Sequence, residues 1–372
     1  MPALKLGPIA VEPPVVLAPM AGVTNIAYRR LCRAFGAGLT VSEMITARAL
    51  VEGNAKTLAM AAFGDDEPVR SVQLCGVDPG VMGAAVDLLV GEVGVDHIDL
   101  NFGCPAGKVT RQGGGAALPA HRTLFRAIIA AAVASAGSVP VTVKLRMGID
   151  DGHLTFAEAG RTAEDEGAAG ITLHARTAEQ LYSGSADWRA IAELKELITS
   201  IPVLGNGDLW EAADALAMVT ATGCDGVVVG RGCLGRPWLF SDLADAFGGR
   251  TAQDPPNLGA IIEMMRTHAG LLCGAFGEDL GVRQFRKHAG WYLTGFPVGS
   301  QVRRSLAQAG SLAEVDQLLS GLDPDNPFPP EATRIARGHT NGPRPVRLPA
   351  DWLDDVDDPT PPAGGDLLVS GG

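Results

Sequence analysis

The 372-residue sequence predicts an α/β fold, a (β/α)8 TIM barrel followed by a small C-terminal helical domain and a disordered acidic tail. Three observations lead there. From residue 14 to about 240, short β-branched runs alternate eight times with Ala-rich stretches of helical length. The runs are nearly continuous in apolar residues, the mark of parallel strands buried on both faces. Beyond residue 255 the strand signal stops and helical patterning alone continues. Eight strand–helix units in roughly 230 residues fit a closed barrel. A doubly wound sheet would more often stop at about five or six strands and carry G-x-G-x-x-G after the first. No such motif follows the first run.

The expected strands are Val15–Ala18, Leu39–Ser42, Ser71–Leu74, His97–Asn101, Val141–Leu145, Gly170–His174, Pro202–Gly205 and Gly226–Gly230. Stretches such as Gly80–Val93 and Ala120–Ala136 have the length and composition of the helices between them. These place a barrel over residues 1–245. Expected helices at Ile261–Phe276, Val282–Leu293 and Gln301–Leu319 make a helical domain over 255–322. Residues 323–372 are rich in Pro, Gly and Asp, with Asp354-Asp355-Val356-Asp357-Asp358, and read as a disordered tail.

Composition narrows the class. With 46% hydrophobic residues the chain can fill a large core, and its longest apolar run is far short of the ~20 residues of a membrane span. No basic segment followed by an apolar stretch opens the chain, so no secretory signal is expected. The six cysteines form no C-x-x-C pair, which argues against both a disulfide scaffold and structural zinc. A reducing cytoplasm is the expected home, with no metal and no membrane. The net charge of −12 disfavours a polyanionic partner only on average. The tail from Asp323 holds nine acidic residues and four Arg, whereas Gly259–Leu306 holds six basic residues and three acidic. A local basic patch binds phosphates even in an acidic protein.

In such a barrel the chemistry sits at the C-terminal ends of the strands. Those ends carry Pro19-Met20-Ala21, Gln73, Asn101-Phe102-Gly103-Cys104-Pro105, Lys144, His174, Asn206-Gly207-Asp208 and Gly230-Arg231-Gly232. The last two loops suit a phosphate, with glycines that expose backbone N–H groups and Arg231 as a bidentate fork. Equally, those glycines could serve only tight turns. Lys144 is costly inside a barrel unless an anion or electron-rich ligand meets it, and harmless if it points outward. His174 and Gln73 fit ligand contacts or satisfied core hydrogen bonds. Cys104 sits in a loop held between Gly103 and Pro105. Its thiol, with an ordinary pKa of ~8.5, suits proton donation as well as nucleophilic attack.

Taken together, Ala18–Gly22, Ser42-Glu43-Met44, Val72-Gln73-Leu74, Asp99–Lys108, Lys144-Leu145-Arg146, His174-Ala175-Arg176, Gly205–Asp208, Gly230-Arg231 and Gly235–Trp238 resemble the tRNA-dihydrouridine synthase family. The likeness runs from about residue 10 to 320. Arg283–Tyr292 resembles that family's RNA-binding helical domain. The resemblance implies an FMN enzyme, reduced by NADPH, that saturates the C5–C6 bond of chosen uridines in tRNA. It implies that Pro19, Met20 and Ala21 pack along the flavin and that Gln73, Lys144 and His174 contact its ring. Asn206, Gly207, Asp208, Gly230 and Arg231 would hold its phosphate tail, and Cys104 would be the general acid. Lys108, Arg283, Arg286 and Lys287 would meet tRNA; DNA and membranes are not expected partners. The loop Arg111-Gln112-Gly113-Gly114-Gly115-Ala116-Ala117 departs from the family pattern, as does the acidic tail.

Two other readings compete. One is an FMN reductase or dehydrogenase for a free pyrimidine such as dihydroorotate, which has no need of Arg283, Arg286 and Lys287. The other is an RNA-binding protein whose barrel has lost activity, which would have no use for the flavin contacts.

Overall fold

The computed structural model describes residues 3–338 and 342–364. An antiparallel hairpin, β1 (Leu4–Leu6) and β2 (Ile9–Val11), comes first and lies outside the predicted rhythm. Leu4, Leu6 and Val11 pack with Val16, Leu39, Leu204 and Val228. A side chain at Gly170 would come within 2.8 Å of Leu6, and one at Gly226 within 3.1 Å of Leu4. Both glycines begin barrel strands, so the hairpin plugs the N-terminal end of the barrel.

Nine strands follow: β3 (Val15–Leu17), β4 (Leu39–Thr40), β5 (Met44–Thr46), β6 (Ser71–Cys75), β7 (His97–Phe102), β8 (Val141–Arg146), β9 (Gly170–His174), β10 (Val203–Asn206) and β11 (Gly226–Val229). Every pairing among them is parallel, in the order β4-β3-β11-β10-β9-β8-β7-β6-β5. The two edge strands, β4 and β5, are consecutive pieces of the expected second strand. They part at residues 41–43, where the Ser42 N–H bonds to the Ser71 carbonyl at 3.0 Å. The sheet therefore curls into the barrel the sequence predicts, with one of its eight strands broken. Helices cover its outer face. Met82, Val86, Ile128, Ile129 and Leu194 pack on strand residues such as Leu100, Val143 and Leu173.

After the barrel come helices Leu258–Phe276, Glu278–Tyr292, Gly299–Gln308 and Leu312–Ser320. The expected third helix is interrupted at residues 309–311, where the Ser311 hydroxyl accepts the Glu314 N–H and caps a new helix. Ile261, Met265, Phe285, Tyr292 and Leu306 form a core that also takes in Ala27 and Trp238 of the barrel. Among the described residues no helix is long and apolar enough to cross a membrane.

The expectation of disorder in the tail is overturned for residues 342–364. Trp352 is buried and stacks on His121 with ring centroids 3.6 Å apart. Its indole N–H donates to the Ala117 carbonyl at 3.0 Å, and His121 Nε2 donates to the Trp352 carbonyl at 2.6 Å. The Arg344 N–H reaches the Glu179 carbonyl at 2.9 Å, and the Arg122 N–H reaches that of Val356 at 2.8 Å. Composition averages over the segment, whereas one tryptophan with a matching seat fixes it. Its prolines also lower the entropy lost on docking. Residues 339–341 and 365–372 lie outside the described residues.

Candidate active site

The C-terminal ends of β3, β8, β9, β10 and β11 converge on one pocket. Nine of the eleven residues expected to hold a cofactor line it: Pro19, Met20, Lys144, His174, Asn206, Gly207, Asp208, Gly230 and Arg231. Ala21 and Gln73 are not in its lining. Arg176, Tyr182 and Trp210 add side chains to the wall, which Ala18, Leu209 and Gly232 complete.

Lys144 donates to Asn206 Oδ1 at 3.2 Å, and Asn206 is fixed in turn by donating to the Val228 carbonyl at 2.6 Å. Burial and the neighbouring Arg146 push the Lys144 ammonium down to about 8, against opposing pulls from Asp99 and Cys104. His174 is held well below its ordinary value by burial, then by Arg146, Lys144, Arg176 and Arg231. It is a neutral imidazole at physiological pH. Arg231 lies over the Tyr182 ring at 4.1 Å, and its Nη1 is buried with no hydrogen-bond partner among the described residues. A buried guanidinium nitrogen without an acceptor costs free energy. A phosphate or other anion seated beside it would remove that cost. The orphaned donor and the cationic wall thus fit the phosphate tail of a flavin.

The glycines behave differently from the reading in which all expose N–H groups. A side chain at Gly205 would meet Met218 Sδ at 2.4 Å, and one at Gly232 would meet the Leu209 carbonyl at 1.9 Å. Those two positions serve close packing. Gly207, with φ +129°, Gly230 and Gly232 itself border the pocket, whereas Gly205 does not. Asp208 also borders it, in the left-handed region at φ +56°. Its carboxylate is taken by Arg176, at 2.7 and 2.8 Å, and by the Ala186 N–H. It therefore orders Arg176, and a phosphate would not be drawn to it.

Gln73 acts one step back from the pocket. Its Nε2 donates to Asp99 at 2.7 Å and its Oε1 accepts from Asn101 at 2.8 Å. Asn101 Oδ1 then accepts the N–H groups of Gly103 at 3.2 Å and Cys104 at 2.9 Å. The Asp99–Gln73–Asn101 chain thus aims the Cys104 loop. Burial pushes Asp99 up to about 6, with bonds from Thr142 and Gln73 and the charge of Lys144 pulling back. Cys104 is itself raised by burial, so at neutral pH it is a thiol and holds its proton. Arg146 supports the same loop by donating to the Gly103 carbonyl at 3.0 Å.

The residues expected to meet RNA are spread out. Lys108 is exposed on the short helix Gly107–Thr110. Arg283 pairs with Asp279 at 2.6 Å. Arg286 donates to the Ala309 carbonyl at 2.9 Å. Lys287 bonds to the Gly22 carbonyl at the barrel mouth, beside Glu43. Sequence reasoning missed Asp99 as a network centre and Tyr182 and Trp210 as wall residues. Asp99 had a faint signal, a carboxylate within a buried strand. Tyr182 and Trp210 had none, because their loops reach the pocket only through the fold.

Residues 16–323 match the family described as dihydrouridine synthase (Dus). A protein of Mycobacterium tuberculosis (strain CDC 1551 / Oshkosh) named probable tRNA-dihydrouridine synthase is 56% identical, over 100% of this chain and 97% of the relative. One of the same name from Rickettsia conorii is 40% identical, over 81% of this chain and 90% of its own. The fold is similar to that of histamine dehydrogenase from Rhizobium sp. 4-9, with a TM-score of 0.50 and 15% identity over 73% of this chain and 50% of that one. By the extent of the family match and the identity of these relatives, the chain belongs to the dihydrouridine synthase family.

Proposed function

We propose that this chain reduces the C5–C6 double bond of uridines in tRNA to 5,6-dihydrouridine, with FMN in the barrel pocket and NADPH as reductant. The observation that carries the reading is Arg231, whose buried Nη1 lacks a partner among the described residues in a cationic pocket at the strand ends. Family membership and the names of the relatives supply the reaction. Bound FMN would supply the hydride that reaches C6 of the uracil ring. Lys144, steadied by Asn206, would set a positive charge against the electron-rich reduced ring. Neutral His174 would offer one N–H as donor, and Pro19 and Met20 an apolar wall. Cys104 would give its thiol proton to C5, a step for which a positioned acid contributes about 10²–10⁴-fold. A uridine within folded tRNA must be drawn out of its stack at a cost of a few kcal/mol. The helical domain, 255–322, with Arg283, Arg286 and Lys287, and Lys108 at the barrel mouth, would offset that cost through phosphate contacts.

Purified chain should carry noncovalent FMN, oxidise NADPH, and form dihydrouridine on tRNA that lacks it. A flavoprotein that leaves tRNA untouched and turns over a free pyrimidine would replace this reading with the small-molecule one.

A further inference from the structure

The two departures from the family pattern, the three-glycine loop and the C-terminal tail, are one device in the structure. Gly113 has φ +75°, and a side chain there would come within 2.5 Å of the Trp352 ring and 2.9 Å of Pro362. The loop is thus hollowed to seat the tail. It is also tied to the candidate acid. The Ala116 N–H bonds to the Cys104 carbonyl at 3.1 Å, and a side chain at Gly115 would strike that same carbonyl at 2.5 Å. The docked tail therefore rests on the loop that positions Cys104.

Docking puts Arg344 and Arg347 beside Lys108 and Arg111. All four line one open hollow with Pro105 and Leu181, and among the described residues no carboxylate lines it. All four are exposed, and none forms an ion pair with another described residue. The tail's segment 342–364 separates its charges about Trp352. Its arginines precede the anchor, whereas Asp351 adjoins it and Asp354, Asp355, Asp357 and Asp358 follow it. In a chain of net charge −12, a four-cation, carboxylate-free hollow beside the loop of Cys104 is a local reversal of sign.

We infer that the C-terminal tail is an accessory RNA-binding strap, whose Arg344 and Arg347 join Lys108 and Arg111 to hold backbone phosphates next to the uridine being reduced. This rests on the tRNA reading above. A uridine delivered to Cys104 brings its flanking phosphates past this hollow, and exposed arginines bind phosphate oxygens as planar forks. The strap lies outside the residues that match the family, so this contact is separate from the helical domain.

The test measures tRNA binding by the full chain across a salt series, with flavin content as the check on folding. Replacing both arginines (R344A/R347A) should weaken binding by up to about fivefold for each exposed arginine–phosphate pair removed. The slope of log affinity against log salt should fall by about 1.4 to 1.8 for two phosphates released. The charge-keeping pair R344K/R347K should recover most of that slope. Wild-type affinity and slope in the alanine pair would overturn the strap, as would lysines that recover none of the slope. An alanine pair unchanged toward tRNA but impaired toward an acidic protein partner would likewise overturn it. A wild-type chain that does not bind tRNA at all would overturn both this inference and the function it rests on.

Discussion

The barrel pocket and the helix Glu278–Tyr292 both carry clustered cations, but the pocket, where Asp208 satisfies Arg176, leaves two others short of acceptors. On the helix each has found a protein acceptor: Arg283 has Asp279, Arg286 has the Ala309 carbonyl, and Lys287 has the Gly22 carbonyl. In the pocket, among the described residues, Arg231 keeps a buried nitrogen without an acceptor, and Lys144 has one neutral partner, Asn206. Buried cations demand compensation. Where the protein withholds it, a ligand's charge is expected. Where the protein supplies it, the cation already serves the fold, and recruitment by a ligand must first break that bond. Chemistry and cofactor retention should therefore respond strongly to single substitutions in the pocket, and RNA binding only weakly to single substitutions on the helix.

The largest effect expected is on protonation. Replacing Cys104 by Ala should leave FMN content and NADPH oxidation intact. Single-turnover oxidation of the reduced flavin by tRNA should slow by about 10²–10⁴-fold. Because burial raises the thiol, Cys104 should keep its proton through neutral pH, and the wild-type rate should fall first as Lys144 loses its charge near pH 8 and again as pH passes the raised thiol value. An unchanged single-turnover rate in C104A would remove the thiol from the mechanism.

Cofactor retention comes next. Arg231→Ala deletes the orphaned donor, and a hydrogen bond to a charged group is worth about 1.5–3 kcal/mol. FMN affinity should drop by about 10- to 150-fold, read by fluorescence as released flavin is titrated back. Full flavin occupancy after long dialysis would show that the anion is held elsewhere, and would break the contrast between pocket and helix.

Both regions also bury neutral histidines. His268 is pushed down to about 3 by burial and by Lys287, and His288 beside it is held well below its usual value by burial, His268 and Lys287. Their ring centroids are 4.4 Å apart. Below pH ~6.5 the unfolded chain takes up protons that the folded chain refuses, so stability is complete above that value and declines as pH falls. The decline should approach ~1.4 kcal/mol per pH unit for each histidine. Denaturant titrations at pH 7.5 and 5.5 would show it, and His268→Phe should flatten it. Equal stability at both values would mean that protonation of these rings is compensated within the fold.

How much of the molecule is legible in its sequence follows the range of the interactions. The barrel is legible because eight strand–helix units repeat a local pattern. The pocket is largely legible because strand ends face one rim by geometry, so Lys144, His174, Asn206 and Arg231 converge without further information. Asp208 and Gln73 fall near the right site, but what they do depends on partners distant in sequence, Arg176 and Asn101. The order of the tail escapes the sequence because Trp352 is a single residue whose seat, at Gly113 and His121, lies more than two hundred residues away. Composition has no access to a contact of that kind.

The smallest single effects are expected on the helix, and they are the sharpest test of the comparison. Arg283, Arg286 and Lys287 stand at i, i+3 and i+4, so their stems share one side of the helix. Each must exchange an existing partner for a phosphate, which offsets part of the gain. Exposed ion pairs are worth about 0.2–1 kcal/mol, so each single alanine should cost at most about fivefold in tRNA affinity. Lys287 should cost the most, because its bond to Gly22 and its closeness to Glu43 set it at the barrel mouth, where the RNA must pass. Neutralising all three should lower the salt slope by up to about 0.9 for each duplex phosphate that is no longer bound. Flavin content should be unchanged, since none of the three lines the pocket. If the triple variant loses no slope, the partners seen here are the whole role of these residues, and the phosphates are held by the barrel mouth and the strap. If one alanine alone abolishes binding, paired cations on this helix serve the ligand as fully as unpaired ones in the pocket, and the contrast between the two regions fails.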